Sequence, residues 1–78
     1  NNNLNLMIMY VTMTSSISGR KATLNIDITE EQLDRVMNRR ANGELIQNIV
    51  PHLSQSHREF LMSGITPQEW NNLFGERE

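Results

Sequence analysis

Ser54, Ser56, His57 and Glu59 bring a hydroxyl, an imidazole and a carboxylate together in one short stretch, with His52 just upstream. These are the groups of acyl transfer, in which histidine takes the proton of a hydroxyl and a carboxylate orients the imidazole. Their spacing argues for something simpler. Triad members are brought together from distant segments by a rigid fold, whereas two serines ahead of a helix and a histidine in a turn are accounted for by helix capping. His52 and His57 lie five residues apart across Pro51 and a helix start, which is neither the i, i+3 nor the i, i+4 spacing that aims two imidazoles at one metal. Glu30 and Glu31 are neighbours and diverge on a helix, so they cannot face each other as a general acid and base. Gly19, Gly43, Gly64 and Gly75 stand singly, without the glycine-rich loop that cradles phosphate. The chain has no cysteine, which removes disulfides and thiolate zinc sites. No enzymatic activity, catalytic residue, cofactor or metal site is therefore expected.

Two further groups of side chains could serve binding. Arg20, Lys21, Arg35, Arg39 and Arg40 would form a small basic patch for an acidic partner if the end of the first hairpin met the end of the first helix. Acids are interspersed among them and no aromatic is interleaved for base stacking. With a formal charge of −2 and a pI near 5.6, direct nucleic-acid binding is not expected, because neutralising phosphates needs a basic surface. Met7, Met9, Val11 and Met13 share one face of an apolar strand, and methionine suits both adaptable cores and binding surfaces.

The elements that must position these residues follow from periodicity. Every Asp, Glu, Lys and Arg lies between Arg20 and Glu78, so the first quarter of the chain is a separate, uncharged zone. Leu4 to Met13 reads as a strand, with Leu4, Leu6, Ile8 and Tyr10 on one face and the methionine face opposite. Thr14 to Gly19 is turn chemistry, after which Ala22, Leu24, Ile26 and Ile28 alternate with polar residues as a half-buried strand. The short connection predicts an antiparallel hairpin.

From Thr29 the period becomes helical through Leu33, Val36, Met37 and Arg40, with Asn42-Gly43 as a stop. Glu31 is positioned to pair with Arg35 at i, i+4. Glu44 to Val50 offers about two turns before Pro51 ends them. A third helix starts at Ser54 or Ser56 and buries Phe60 and Leu61 before Ser63-Gly64. The fourth repeats the start signal of the first: Ile28-Thr29-Glu30-Glu31-Gln32-Leu33 is echoed by Ile65-Thr66-Pro67-Gln68-Glu69-Trp70, each with a capping threonine and a Gln or Glu three residues on. Trp70, Leu73 and Phe74 are expected to dock this helix on the core, with Trp70 as the anchor.

The run from Leu45 to Ser54, followed by Arg58 to Trp70 and by Phe74-Gly75, resembles a group of small, mostly uncharacterised bacteriophage proteins. Many of those carry Cys-x-x-Cys immediately before the tryptophan, where this chain has Thr66 and Glu69, so a metal or redox role of those cysteines does not transfer. The resemblance covers residues 45 to 75 and implies a phage or prophage origin.

The expected fold is α+β: an N-terminal antiparallel β-hairpin followed by three to four short helices in the order ββαααα, a single domain over residues 1 to 78 with a frayed start (1–3) and a solvated tail (76–78). The apolar zone is about ten residues long, against the roughly 20 needed to span a bilayer, and lacks the basic flank and cleavage site of a signal peptide. A soluble, cytoplasmic, non-membrane protein is expected. The expected function is a non-catalytic, phage-type binding protein that attaches to a host protein or ribonucleoprotein, as anti-CRISPR inhibitors of host defence do. A self-associating structural module is the alternative, and a nucleic-acid-associated regulator comes third. If the hairpin packs its Ala22 to Ile28 face on the helices with Leu4 to Tyr10, the Met7, Met9, Val11 and Met13 face is left open, and a homodimer through it is expected.

Overall fold

A computed structural model describes residues 8 to 75. Strands β1 (Ile8–Thr14) and β2 (Lys21–Asp27) form an antiparallel hairpin, followed by α1 (Glu30–Met37), α2 (Arg39–Asn42), α3 (Ile46–Ile49), α4 (Gln55–Ser63) and α5 (Pro67–Phe74). The architecture is the expected α+β arrangement, with five helices rather than three or four.

The hairpin loop is closed by one side chain. Ser15 is buried, and its hydroxyl accepts from the amides of Ile17 (3.1 Å) and Ser18 (3.2 Å) while its own amide donates to the Arg20 carbonyl (2.8 Å). Serine is suited to this because its short hydroxyl can stand in for a backbone turn partner. The loop sets the register, pairing Thr14 with Lys21, Met13 with Ala22, Val11 with Leu24 and Met9 with Ile26.

Residues directly opposite in an antiparallel pair point to the same face, so the register puts Met9, Val11 and Met13 on the face of Ala22, Leu24 and Ile26. That face is covered: Val11 and Ile26 are buried, and Met9, Met13, Ala22 and Leu24 pack against the core. The expectation of an open methionine face is thereby corrected. Ile8 and Tyr10 stand in solvent instead, beside Asp27 and Asn25. Met7 lies outside the described residues. A side-chain period of two means that the choice between faces rests on register, and the register comes from the loop.

The remaining core comes from Val36 of α1, Ile46 and Ile49 of α3 and Phe60 and Leu61 of α4, with Ile28, Val50 and Leu53 from the connections; α2 buries no residue. Thr29 starts α1 with a complete capping box: its hydroxyl accepts from the Gln32 amide, and its own amide donates to Gln32 Oε1, both at 3.0 Å. The single helix expected to about Ala41 breaks at Asn38. There the amide and the side-chain Nδ2 both donate to the Asp34 carbonyl, at 3.1 and 2.8 Å. An asparagine side chain that bonds the backbone competes with continued helix, and the chain restarts as α2. The third segment is shorter than read from sequence, four residues with Leu45 exposed.

Ser54, not Ser56, caps α4, accepting from the His57 amide at 3.2 Å. Gly64 then ends α4 with φ +78° and donates to the Phe60 carbonyl at 2.7 Å. A Cβ on Gly64 would sit 2.1 Å from the Thr14 carbonyl oxygen, so the end of α4 lies directly on the hairpin. The Ser16 amide donates to the Ser63 carbonyl across the same contact at 2.9 Å.

Candidate functional site

The last helix carries the features most suited to contact with another molecule. Thr66 caps α5 by accepting from the Glu69 amide at 3.0 Å, and Pro67 fills the first turn, where its missing N–H costs nothing. The chain enters through Ile65, which is buried, yet α5 itself has no buried residue. Trp70 is 41% exposed, Leu73 47% and Phe74 60%. Trp70 and Phe74 lie one turn apart with ring centroids 4.5 Å from each other and planes tilted by 46°. The expected role of Trp70 as the core anchor is therefore corrected. The amphipathic stripe exists as its spacing indicated, but its apolar side faces outward.

Beside this stripe, α4, α5 and the connection between them line a groove of about 480 Å³. Gln55 and Glu59 from α4, Ile65 from the connection, and Trp70 and Asn71 from α5 line it. Gln55 and Glu59 share a helix face because they are four residues apart. The groove is thus of mixed polarity, with one indole and one carboxylate among its lining side chains. A smaller depression on the other side of α5 holds Arg20 and Lys21 with Gln68 and Glu69.

That depression locates half of the expected basic patch. The hairpin turn meets the end of α4, so Arg20 and Lys21 border α5. Arg35 makes a bidentate ion pair with Glu44, in place of the expected partner Glu31. The hydrogen bond and charge of Glu44 raise the Arg35 guanidinium above its ordinary value, and Arg35 holds the Glu44 carboxyl below its own. Arg39 donates to the Val36 carbonyl at 2.8 Å, and Arg40 is exposed. Arg35 and Arg39 are thus engaged around α1 and α2 rather than free to make a common surface with Arg20 and Lys21.

Ser56 and Glu59 both line the groove and the Ser54 and Ser56 hydroxyls lie 3.3 Å apart, but no described hydrogen bond joins an imidazole to a serine hydroxyl or to a carboxylate. The Ser54 hydroxyl is a cap, and His52 donates from Nε2 to the Asp27 carbonyl at 2.7 Å, tying the turn before α4 to the end of β2. Among the described residues no three His, Asp or Glu side chains gather where they could hold a metal ion.

No protein-family model, no curated protein and no solved structure matches the chain. The site is therefore defined by its own geometry. Sequence reasoning identified the residues of the α5 stripe but assigned them to the core, and it missed the groove. The available signal was the abundance of other apolar residues: Ile26, Ile28, Val36, Val50, Phe60 and Leu61 already fill the interior.

Proposed function

We propose that this chain is a small non-catalytic binding protein that acts by protein–protein contact, with the α5 stripe as its contact surface. The observation that carries this reading is the exposure of Trp70, Leu73 and Phe74 together on a helix with no fully buried residue. Solvent-facing aromatic side chains grouped in this way are what interface hot spots are built from, and monomers normally keep such surface covered. Taken with the resemblance to small bacteriophage proteins, the partner is a host protein or ribonucleoprotein of the cytoplasm, and the effect is inhibition of a host defence system of the kind anti-CRISPR proteins counter. No helix among the described residues is long and apolar enough to cross a membrane.

The same stripe could instead meet a second copy of the chain, which keeps the homodimer as the alternative on a surface other than the methionine face. Two measurements decide. Capture from a bacterial lysate, with and without nuclease, compares the wild type with a Trp70→Ala, Phe74→Ser variant that remains cooperatively folded under the capture conditions. The proposal expects nuclease-resistant capture that the variant loses. Equal capture by both overturns it, and capture abolished by nuclease favours the nucleic-acid regulator. Sedimentation at micromolar concentration gives the mass of one chain under the first reading and of two under the alternative.

A further inference from the structure

The groove between α4 and α5 has a chemical character that the exposed stripe lacks. Glu59 is the only formally charged residue among those lining it, and from Glu59 to Gly75 the sequence contains no lysine or arginine. The neighbouring Arg58 turns away, donating from Nη1 to the Leu53 carbonyl at 2.8 Å. Among the described residues the only ion pair joins Arg35 to Glu44, so Glu59 has no cation there. Its side chain is half-buried, where a charge interacts more strongly than in open water. The same groove is lined by Trp70, whose indole is the best aromatic acceptor for a cation, and by Gln55 and Asn71, whose side chains carry amide oxygens able to accept.

We infer that this groove receives an arginine side chain from the protein partner, an inference that rests on the contact reading above and specifies its chemistry. A guanidinium can stack on the indole while its N–H groups donate to a carboxylate, which a compact ammonium cannot do in one geometry. The carboxylate selects the charge and the ring selects the plane. The volume, about 480 Å³, lies within the usual range of ligand pockets and admits one long side chain with part of its backbone. Apolar residues flanking the arginine would continue onto Leu73 and Phe74.

The test uses a blocked peptide with one arginine between two leucines and its citrulline counterpart, which keeps the shape and loses the charge. Binding is read from Trp70 fluorescence, the only tryptophan signal, and from the amide resonances of Glu59, Trp70 and Asn71. The arginine peptide should give saturable changes at millimolar concentration, and the citrulline peptide should bind about 10-fold more weakly, as should the arginine peptide to Glu59→Gln. Glu59→Asp should recover part of the loss, and the spectra of both variants should overlay the wild type away from the groove. Equal response to the two peptides, unchanged binding by Glu59→Gln, or no response in the groove overturns the inference. If the Trp70→Ala, Phe74→Ser variant loses the lysate partner while neither peptide binds, the contact surface stands and the arginine site falls. If the arginine peptide binds while capture is unaffected by that variant, the reverse holds.

Discussion

Gly64 shows how much one residue decides. It needs a positive φ, and its missing Cβ leaves space for the Thr14 carbonyl. Gly43 has a similar φ of +71° with nothing within 4 Å, so the two glycines separate backbone strain from contact. Gly43→Ala should cost about 1 to 2 kcal/mol, the strain of a left-handed residue. Gly64→Ala should cost about 3 kcal/mol or more, because relieving the overlap must shift α4 off the hairpin. Equal urea midpoints for the two variants would refute the close approach. Glu44 gives a pH prediction. Its folded value lies below the ordinary carboxylate value because Arg35 bonds the charged form, so its contribution is present above the ordinary value and is lost as pH falls through the depressed one. The pair is exposed, so the effect is small and screened by salt. A carbon-13 titration of the Glu44 carboxyl should show a midpoint below that of a blocked glutamate peptide, and Arg35→Gln should restore it.

At the scale of elements, the register of the hairpin and the facing of α5 separate core from surface. Met9 stands opposite Ile26 on the covered face, whereas Tyr10 stands opposite Asn25 in solvent. Met9→Lys should therefore lower stability by about 1 to 3 kcal/mol, the cost of poorly compensated polar burial, and Tyr10→Lys should stay within about 0.5 kcal/mol. Urea denaturation checks both, and the opposite order would mean the strand is flipped. A second pair contrasts helices. Phe60 is fully buried in α4, and Phe60→Ala should cost about 3 to 5 kcal/mol. Trp70→Ala removes a partly exposed ring and its tilted contact with Phe74, which should cost about 1 kcal/mol. Similar losses for the two would return Trp70 to the core and remove α5 as a contact surface.

At the scale of the whole molecule, a small chain without disulfides rests on one core, assembled from the inner hairpin face, three helices (α1, α3 and α4) and the connections between them. His52 is engaged by the Asp27 carbonyl and no three-ligand cluster exists among the described residues, so melting should be unchanged by EDTA; a drop of several degrees would show a metal in the fold. Much of this organisation was legible in the order of residues. The threonine caps at Thr29 and Thr66, the stops at Gly43 and Gly64 and the alternation from Ala22 to Ile28 are local properties, set by hydrogen bonds and side-chain periods within a few residues. The break at Asn38 was hidden because an asparagine side chain can face solvent or turn back on its own helix with little difference in local energy. Which face of β1 and which face of α5 meet the interior depended on competition among distant apolar surfaces for one limited core. The loop around Ser15 set the register that turned Met9, Val11 and Met13 inward. With Phe60 and the isoleucines already packed there, the stripe from Trp70 to Phe74 was left outside. Periodicity groups residues into faces, but only the assembled tertiary structure chooses which of those faces is covered.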